Sequence, residues 1–300
     1  MIEQPYDDRD GFIWFDGALI PWRDAKLHVL SHGLHYAGAV FEGQRAYDGT
    51  VFKLTEHSER LRRSAQRLGY ELPWTVDEIN AACNAVLAAN KLGDAYLRPI
   101  AWRGSEQVGV AARRATIHLA ISAWEWGAYF GEDSLRKGAR VDISEWRRPA
   151  PHTAPTDAKA SGLYMICTMA KNRAEERGCT EAMMLDWRGQ VAEATSANIF
   201  FVRDNELFTP TPDCFLDGIT RRTVMDLARR HGLTVTERAI WPEELESFEQ
   251  CFLTGSAAEV TPVAEIGPWN FEVGELTRQL ARDYQSLVRS WGRSELSNAA

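Results

Sequence analysis

The alternation of apolar and polar residues predicts that the chain opens with β-strands. Residues 12–21 and residues 38–54 each alternate around an Asp-Gly pair, at positions 16–17 and 48–49. An Asp-Gly pair between two alternating runs favours the tight turn of a β-hairpin. Two further strand-like runs follow, at residues 95–104 and 115–126.

Two helices are predicted between these strands. The first covers residues 55–70, with Thr55 as its N-cap. The second begins at a capping box formed by Thr75 and Glu78 and ends at Gly93. Hairpins, two helices and further strands together indicate an antiparallel sheet covered by helices.

The second half of the chain mixes strands and helices again, so the predicted fold class is α+β or mixed α/β. Helices are predicted after Ser161 and after Thr220, ending at Gly178 and Gly232, and a third over residues 275–291. Strand-like runs occupy residues 139–146, 182–189, 190–202, 206–210, 234–240 and 250–255.

The length of 300 residues predicts two domains. The first is expected to end at Trp126, and residues 127–138, rich in glycine and charge, are expected to be a linker. Residues 139–300 then form the second and larger domain. Each half is long enough to bury a core of its own.

Charge and cysteine usage narrow the classes of function. The net charge of −8 gives no electrostatic reason to bind nucleic acid or an anionic membrane, so the expected partners are small molecules or further copies of the chain. No apolar run approaches the roughly 20 residues of a membrane helix, and the start lacks the features of a signal peptide. Five scattered cysteines indicate a reduced, cytoplasmic protein, and no metal site is expected.

One lysine stands in an unusual setting. Only six of the 34 basic residues are lysines, and Lys159 is flanked by the small residues of the segment Ala158 to Gly162. A desolvated lysine amine can form a Schiff base with a carbonyl cofactor, whereas arginine stays charged. Small neighbours would let a large flat cofactor approach this amine. The alternative is an ordinary solvated lysine at the start of a helix.

Such a cofactor would also need an anion site and an acid near its ring. Residues 216–220 run into a predicted helix and residues 254–257 run into a short predicted turn. Each segment offers a glycine, a hydroxyl and free backbone amides that can bind phosphate, and Arg60 offers a positive charge. Glu193, in the run 190–202, could keep a pyridine nitrogen protonated. The alternative for Glu193 is a position at a sheet edge, facing solvent.

A series of ordered motifs extends along nearly the whole chain. The quoted segments are IWFDGALIPWRDAKLHVLSHGLHYAGAVFEGQRAY, HSERL, AYLRPI, WGAY, PTDAKASGLY, EATSANIFFV, LDGITRRTV and TGSAAEVTPV. With these motifs the chain resembles the branched-chain amino-acid aminotransferases, class IV enzymes dependent on pyridoxal 5'-phosphate. The resemblance implies a two-domain fold, with a small antiparallel-sheet domain and a larger pseudo-barrel domain.

The resemblance implies roles toward the cofactor for individual residues. Lys159 would be the Schiff-base lysine and proton shuttle, Tyr164 would bond the phenolic oxygen, and Glu193 would hold the ring nitrogen. The phosphate would be bound by Arg60, Ile219, Thr220 and Ser256, with Leu216 packed on the ring.

The resemblance also implies a substrate site and an activity. Tyr96 and the backbone at Ser256 and Ala257 would bind the α-carboxylate, and the side-chain pocket would comprise Tyr36, Phe41, Arg98 and Tyr129. The implied reaction is ping-pong transamination of leucine, isoleucine and valine with 2-oxoglutarate, as in amino-acid biosynthesis. Tyr36 would reach the site of a neighbouring subunit, so a homodimer is expected, and similar enzymes also form hexamers.

Two departures from the usual motifs keep alternatives open. Ala194-Thr195-Ser196 replaces a glycine-rich run, and Ser256 stands where threonine is common. The alternatives within the same fold are a D-amino-acid or (R)-amine transaminase and an aminodeoxychorismate lyase. A binding or scaffolding protein without activity would be expected to have lost Lys159 or Glu193, and both are present.

Overall fold

The computed structural model describes residues 4–127 and 135–298, with side chains as far as residue 292. The chain forms two compact units. The first consists of Met1–Trp126, Ala158–Gly162 and Trp291–Ala300, and the second of Gly127–Asp157 and Leu163–Ser290. The domain boundaries at residues 126 and 139 stay a prediction.

The first unit contains seven strands and three helices in its described part. The strands are β1 (Phe12–Phe15), β2 (Ala18–Pro21), β3 (Ala39–Phe41), β4 (Gln44–Tyr47), β5 (Thr50–Val51), β6 (Ala95–Arg103) and β7 (Ile117–Glu125). The helices are α1 (His32–Tyr36), α2 (Leu54–Arg67) and α3 (Val76–Ala89), and a 3₁₀ turn spans Trp22–Asp24.

All seven strands join one antiparallel sheet, in the order β2-β1-β7-β6-β4-β5, with β3 paired to β6. Both predicted hairpins are confirmed. Asp16 and Asp48 adopt left-handed φ angles of 47° and 51°, and each is followed by a glycine at positive φ, as the tight turn requires. Helices α2 and α3 pack on each other, and α3 covers strands β1 and β7.

Of the two helix starts predicted in this unit, one is confirmed and the other is wrong. The capping box of Thr75 and Glu78 at the start of α3 is confirmed. Thr55 as the N-cap of α2 is wrong, because Lys53 occupies that position and Thr55 accepts a hydrogen bond of 3.1 Å from Asn80 instead. Helix α3 also ends at Ala89, before the predicted Gly93, because the chain turns through a left-handed residue at position 91.

The second unit contains nine strands in its described part. They are β8 (Ala139–Ile143), β9 (Glu181–Leu185), β10 (Val191–Ala194), β11 (Asn198–Arg203), β12 (Glu206–Thr209), β13 (Val235–Glu237), β14 (Gln250–Gly255), β15 (Glu259–Ile266) and β16 (Trp269–Asn270). Its helices are α4 (Met165–Glu176), α5 (Ile219–Arg230) and α6 (Glu275–Asn298), the last of which continues into the first unit. Two 3₁₀ turns span Ser161–Tyr164 and Pro242–Ser247.

These nine strands form a mixed sheet in the order β10-β9-β8-β15-β14-β11-β12-β13, with β16 paired to β15. Strand β8 runs parallel to both β9 and β15, and β12 runs parallel to β13. The predicted mixed α/β class is therefore confirmed. One expectation is wrong, because the run 190–202 is two strands separated by a turn. A turn at residues 256–258 follows β14, as predicted, and leads directly into β15.

The faces of this sheet explain where its helices lie. Side chains such as Ile199, Phe201 and Leu253 belong to one buried cluster. Phe200 of β11 and Phe252 of β14 are the neighbours of these residues along the two strands, and their rings stack with centroids 5.0 Å apart. Helix α5 packs against β14. Within the described residues, none of the helices combines the length and apolar character needed to cross a membrane.

Candidate active site

The segment that carries Lys159 is held to the first unit by its main chain. The Phe41 amide donates to the Lys159 carbonyl at 3.1 Å, and the Lys159 amide donates to Ser64 Oγ at 3.0 Å. An antiparallel bridge joins Ala160 to Val40. Bonds on both sides of the lysine fix the direction in which its side chain leaves the backbone.

The Lys159 amine lies in an enclosed, aromatic setting. Its Nζ sits 4.9 Å from the centre of the Phe41 ring. Burial and, to a smaller extent, the nearby Arg60 charge lower the pKa of this amine to about 8, against an opposing effect of Glu42. A substantial fraction of Lys159 is therefore neutral in mildly alkaline solution, and the neutral amine is the form that acts as a nucleophile or a base.

A buried charged cluster stands beside Lys159. Arg60 donates from Nε and Nη2 to the two carboxylate oxygens of Glu42, at 2.6 and 2.7 Å, and His57 Nδ1 lies 2.7 Å from the same carboxylate. Glu42 is fully buried. Burial acts to raise its pKa, but Arg60 and His57 together hold the pKa well below the usual range of a carboxyl group. The cluster therefore contains an ionised carboxylate that orients Arg60.

Three of the predicted substrate residues come together around Arg98. Its Nη2 donates to the Tyr96 hydroxyl at 3.0 Å, and its guanidinium lies 4.9 Å from the centre of the Phe41 ring and 5.2 Å from that of Tyr96. A Cβ atom at Gly43 would overlap the Tyr96 hydroxyl, so any larger residue there would displace that hydroxyl. This group offers apolar ring faces and one cation side by side.

The other two predicted pocket residues are placed differently. Tyr36 ends the short helix α1 and is 45% exposed, with its ring 4.8 Å from that of His32. It is therefore not grouped with Arg98 in this chain. Tyr129 lies outside the described residues.

In the second unit, Glu193 is held between two polar side chains. Arg148 Nε lies 3.4 Å from Glu193 Oε1, and Asn198 Nδ2 donates to Glu193 Oε2 at 3.2 Å. The Glu193 side chain is 12% exposed, so it faces inward, and the alternative of a solvent-facing carboxylate at a sheet edge is excluded. A buried carboxylate needs such a partner to remain charged.

Asn198 also connects Glu193 to the first predicted phosphate loop. Its Nδ2 donates to the Leu216 carbonyl at 3.0 Å, and its Oδ1 would overlap a Cβ atom at Gly218. Gly218 is the N-cap of α5, and glycine brings no side-chain acceptor for the first amides of the helix. Ile219 and Thr220, both buried, begin that helix.

The second predicted phosphate loop lies next to Asn198 in the sheet. Thr254 pairs with Asn198 across strands β14 and β11, and Gly255, Ser256 and Ala257 follow. The Thr254 hydroxyl is buried, and it has no hydrogen-bond partner among the described residues. The sheet therefore brings residues 216–220 and 254–257 together around one asparagine.

Tyr164 is half-buried and immediately precedes helix α4. Its carbonyl accepts a hydrogen bond of 3.0 Å from Thr168, so its backbone belongs to the start of the helix. Arg148 lies close enough to Tyr164 for an electrostatic interaction between the guanidinium and the phenol group. Tyr164 therefore belongs to the same part of the second unit as Glu193.

Four residues of these two groups were not predicted from the sequence. They are Glu42, His57, Arg148 and Asn198. A buried carboxylate requires a cationic partner, so the sequence predicts that Glu193 has one. The sequence does not indicate which of the many arginines is that partner. The position of Arg148 depends on strand pairing, with its amide bonded to the Leu185 carbonyl at 2.8 Å.

Comparison with known proteins identifies the family. The family model described as amino-transferase class IV matches residues 39–266. The chain therefore belongs to the class IV aminotransferases, and the resemblance found in the sequence is confirmed.

Individual relatives narrow the comparison further. The chain is 43% identical over 288 residues to the branched-chain-amino-acid aminotransferase of Pseudomonas aeruginosa, and the match covers 94% of each protein. The crystal structure of the branched-chain aminotransferase of Thermoproteus uzoniensis with norvaline is 37% identical, with a TM-score of 0.89, over 93% of this chain and 95% of that one.

A second solved structure contains a cofactor adduct. It is the branched-chain amino acid aminotransferase of T.th. complexed with N-(5'-phosphopyridoxyl)-L-glutamate, with 36% identity and a TM-score of 0.89 over 94% of this chain and 95% of that one. These matches confirm the predicted fold class. They do not favour the alternatives of a D-amino-acid or (R)-amine transaminase or an aminodeoxychorismate lyase.

Proposed function

We propose that this chain transaminates branched-chain L-amino acids with 2-oxoglutarate, using pyridoxal 5'-phosphate as cofactor. The observation that carries the proposal is the Lys159 amine, enclosed beside Phe41 and Arg60, with its pKa lowered to about 8. The names of the relatives support the same reaction, since they are branched-chain aminotransferases, one with norvaline and one with a phosphopyridoxyl glutamate.

The residues of the second unit suit a phosphorylated pyridine aldehyde. Glu193 is an inward-facing carboxylate, stabilised in its charged form by Arg148, and would accept a hydrogen bond from a protonated ring nitrogen. The start of α5 presents amides without a side-chain cap, and the buried Thr254 hydroxyl has no partner within the described residues. Helix starts of this kind bind phosphate.

We assign the cofactor roles residue by residue. Lys159 would anchor the cofactor, Tyr164 would bond its phenolic oxygen, Glu193 would bond its ring nitrogen and Leu216 would pack on its ring. The phosphate would be bound by Arg60, Ile219, Thr220 and Ser256. When bound, pyridoxal 5'-phosphate supplies a carbon that takes up the amino group and a cationic ring that withdraws electrons from the substrate Cα.

The chain itself would handle one proton and two carboxylates. Lys159 Nζ, partly unprotonated near its pKa, would take the proton from the substrate Cα and deliver it to the cofactor carbon that takes up the amino group. The opposite half-reaction would move a proton between the same two atoms in the reverse direction. The order is ping-pong: the branched 2-oxo acid leaves before 2-oxoglutarate binds. The substrate α-carboxylate would be bound by Tyr96 and by the backbone at Ser256 and Ala257.

One pocket must accept both an aliphatic side chain and the second carboxylate of glutamate. Phe41 and Tyr129, together with Tyr36 from a neighbouring subunit, would provide apolar ring faces, and Arg98 would pair with the carboxylate. The contacts of Arg98 with Phe41 and Tyr96 support this role, because a guanidinium packed on rings can serve an apolar and an anionic ligand.

We further propose that the chain acts as a homodimer at least, with Tyr36 in the partner's site. In support, apolar side chains are exposed around α1 and the loop after β6, namely Val29, Leu34, Val108 and Val110, the last with 85% exposure. Exposed apolar surface of this kind is typical of an interface. The proposed location is the cytoplasm, in line with five free cysteines.

The test is the visible spectrum of the purified protein before and after addition of L-leucine without an oxo acid. We expect a yellow band that L-leucine removes and 2-oxoglutarate restores. Lys159→Ala should abolish both changes and leave the far-UV circular dichroism unaltered. A yellow band that L-leucine does not affect would contradict the substrate, and turnover by Lys159→Ala would contradict the role of the lysine.

A further inference from the structure

Glu181 is a buried carboxylate that the proposed reaction does not use. It is the first residue of β9 and is fully buried. It accepts hydrogen bonds from the Ala182 amide and from Ser196 Oγ, both at 2.8 Å, and from the Thr195 hydroxyl. A carboxylate removed from water is costly unless donors surround it, and here three donors do so.

Two of these donors belong to the turn that separates β10 from β11. The Ala194 amide donates to the Ala197 carbonyl at 2.8 Å and closes the turn, while the Thr195 amide donates to the Ala182 carbonyl at 3.1 Å. The turn is therefore bonded to β9 in two ways. The Thr195 amide bonds to the β9 backbone, and the hydroxyls of Thr195 and Ser196 donate to the Glu181 carboxylate. Backbone bonds alone leave the Ser196 side of the turn without an anchor to β9.

Functional residues stand at both ends of this turn. Glu193 is the next to last residue of β10, Asn198 is the first residue of β11, and they share the hydrogen bond of 3.2 Å. The geometry of the turn therefore sets the distance between the proposed ring-nitrogen acid and the asparagine that holds the Leu216 carbonyl.

The same turn lies against the second phosphate loop. A Cβ atom at Gly255 would be 3.4 Å from the Ser196 carbonyl oxygen and 3.7 Å from Ala197 Cβ, which is ordinary contact. Ser256, a proposed phosphate ligand, follows directly. A shift of the turn would therefore be transmitted to the backbone that carries Ser256 as well as to Glu193.

We infer that Glu181 is a positioning residue, which holds the Thr195–Ser196 turn and through it the relative placement of Glu193, Asn198 and the Gly255–Ser256 backbone. The inference rests on the proposed function, because it concerns the cofactor site of that function. Glu181 touches neither cofactor nor substrate in this role. The hydroxyls of Thr195 and Ser196, which depart from the usual glycine-rich run, give this chain side chains through which the carboxylate can act.

The test measures the dissociation constant of pyridoxal 5'-phosphate for the full chain by absorbance titration, in Glu181→Gln and Ser196→Ala. In Glu181→Gln the amide oxygen can still accept from the Ala182 amide and the Thr195 hydroxyl, but an NH2 group then replaces the acceptor of Ser196 Oγ. Glu181→Gln should therefore raise the dissociation constant about tenfold. Ser196→Ala removes one bond at an exposed residue and should raise it about threefold. Ser196→Thr keeps the hydroxyl and should restore the wild-type value.

Thr236→Val is the matched control. Thr236 Oγ1 donates to Glu206 Oε1 at 2.6 Å, which is also a hydroxyl-to-carboxylate bond in the second sheet, away from the proposed site. It should change the melting temperature without changing the dissociation constant. If Glu181→Gln and Ser196→Ala behave like Thr236→Val, the inference is wrong and Glu181 is only structural.

Two further results keep this test separate from that of the proposed function. If Glu181→Gln does not fold, the comparison of Ser196→Ala with Ser196→Thr still decides the inference. If the wild-type chain binds the cofactor but does not convert L-leucine and 2-oxoglutarate, the proposed substrates are wrong. The ratio of the cofactor dissociation constants of each variant and the wild-type chain still supports or overturns the role of Glu181.

Discussion

Arg148 and Glu193 form an ion pair within the second unit, with Arg148 Nε 3.4 Å from Glu193 Oε1 and side-chain exposures of 5% and 12%. Arg148 also donates to the Leu163 carbonyl at 3.4 Å. A buried pair contributes little net stability as a whole, but loss of one partner leaves an uncompensated charge. Substitution of either residue alone is therefore expected to destabilise the protein.

Replacement of the cation is expected to destabilise the protein strongly. Arg148→Met should lower the free energy of unfolding of the apoprotein by about 3 to 5 kcal/mol, measured in urea, because Glu193 loses its partner. Addition of Glu193→Gln to that variant should recover part of the loss. Arg140→Met, which removes an exposed ion pair with Glu265, should cost about 1 kcal/mol or less. Equal losses in the two single variants would contradict this reading of the pair.

The depressed pKa of Lys159 predicts a dependence of stability on pH. Between about 8 and the usual 10.5 the unfolded chain binds a proton at this lysine that the folded chain has lost, so stability from this group rises with pH across that window. The apoprotein should gain about 3 kcal/mol relative to Lys159→Met between pH 8 and pH 10.5. A difference between the two proteins that stays constant over this range would show that the amine is not desolvated.

Neutralisation of Glu42 should lower the pKa of the Lys159 amine further. Glu42 acts to raise the pKa of Lys159, so Glu42→Gln is expected to lower that pKa below about 8 and to leave Arg60 without its carboxylate partner. The measurement is the pH dependence of the free energy of unfolding of the apoprotein relative to the matching Lys159→Met variant, whose rise should begin at lower pH. Glu56→Gln removes a carboxylate of α2 that pairs with Lys53, the N-cap residue of that helix, and should leave this rise where it is. A rise that begins at higher pH would contradict the charge assignment.

The close approach of Gly43 to Tyr96 can be tested by one methyl group. Gly43→Ala would place a Cβ atom in overlap with the Tyr96 hydroxyl, which must then move away. The expected effect is a rise of about tenfold in KM for L-leucine, the equivalent of one hydrogen bond to a charged group. Gly93→Ala, where the added atom meets open space, should have no effect on KM. An unchanged KM in Gly43→Ala would remove Tyr96 from carboxylate binding.

Discrimination between the two substrates should depend on Arg98. Arg98→Met keeps an apolar side chain beside Phe41 but removes the cation, so KM for 2-oxoglutarate should rise about tenfold or more while KM for L-leucine stays within about threefold. Arg63→Met, at an exposed arginine of α2, is the control for loss of charge alone. Equal increases for both substrates would place Arg98 outside the side-chain pocket.

Local chemistry explains what the sequence could predict. The Asp-Gly turns and the capping box at Thr75 depend on residues within four positions of one another, and all three are observed. Lys159 stood out because its neighbours are small. The partner of Glu193 could not be predicted in the same way, because Arg148 reaches it only through the pairing of β8 with β9 and the bond from its amide to Leu185.

The errors have the same origin in tertiary contacts. Thr55 has the side chain of an N-cap, but its hydroxyl is bonded to Asn80 of α3, and the packing of the two helices determines that bond. The run 190–202 has the composition of one long strand, and the bonds of Glu181 to Thr195 and Ser196 accompany its division into two. A buried carboxylate 14 residues before the turn leaves no local signal in the turn itself.

The assignment of Ala158–Gly162 to the first unit has a consequence for work with gene fragments. A truncated clone that stops at codon 126 would encode every strand of the first sheet, yet the Phe41 amide and the Ser64 hydroxyl would lose the backbone groups that they bind at Lys159. A circularly permuted gene that opens the chain near residue 127 keeps residues 158–162 in the same polypeptide. For this protein, permutation rather than dissection is the way to study the first unit with its lysine in place.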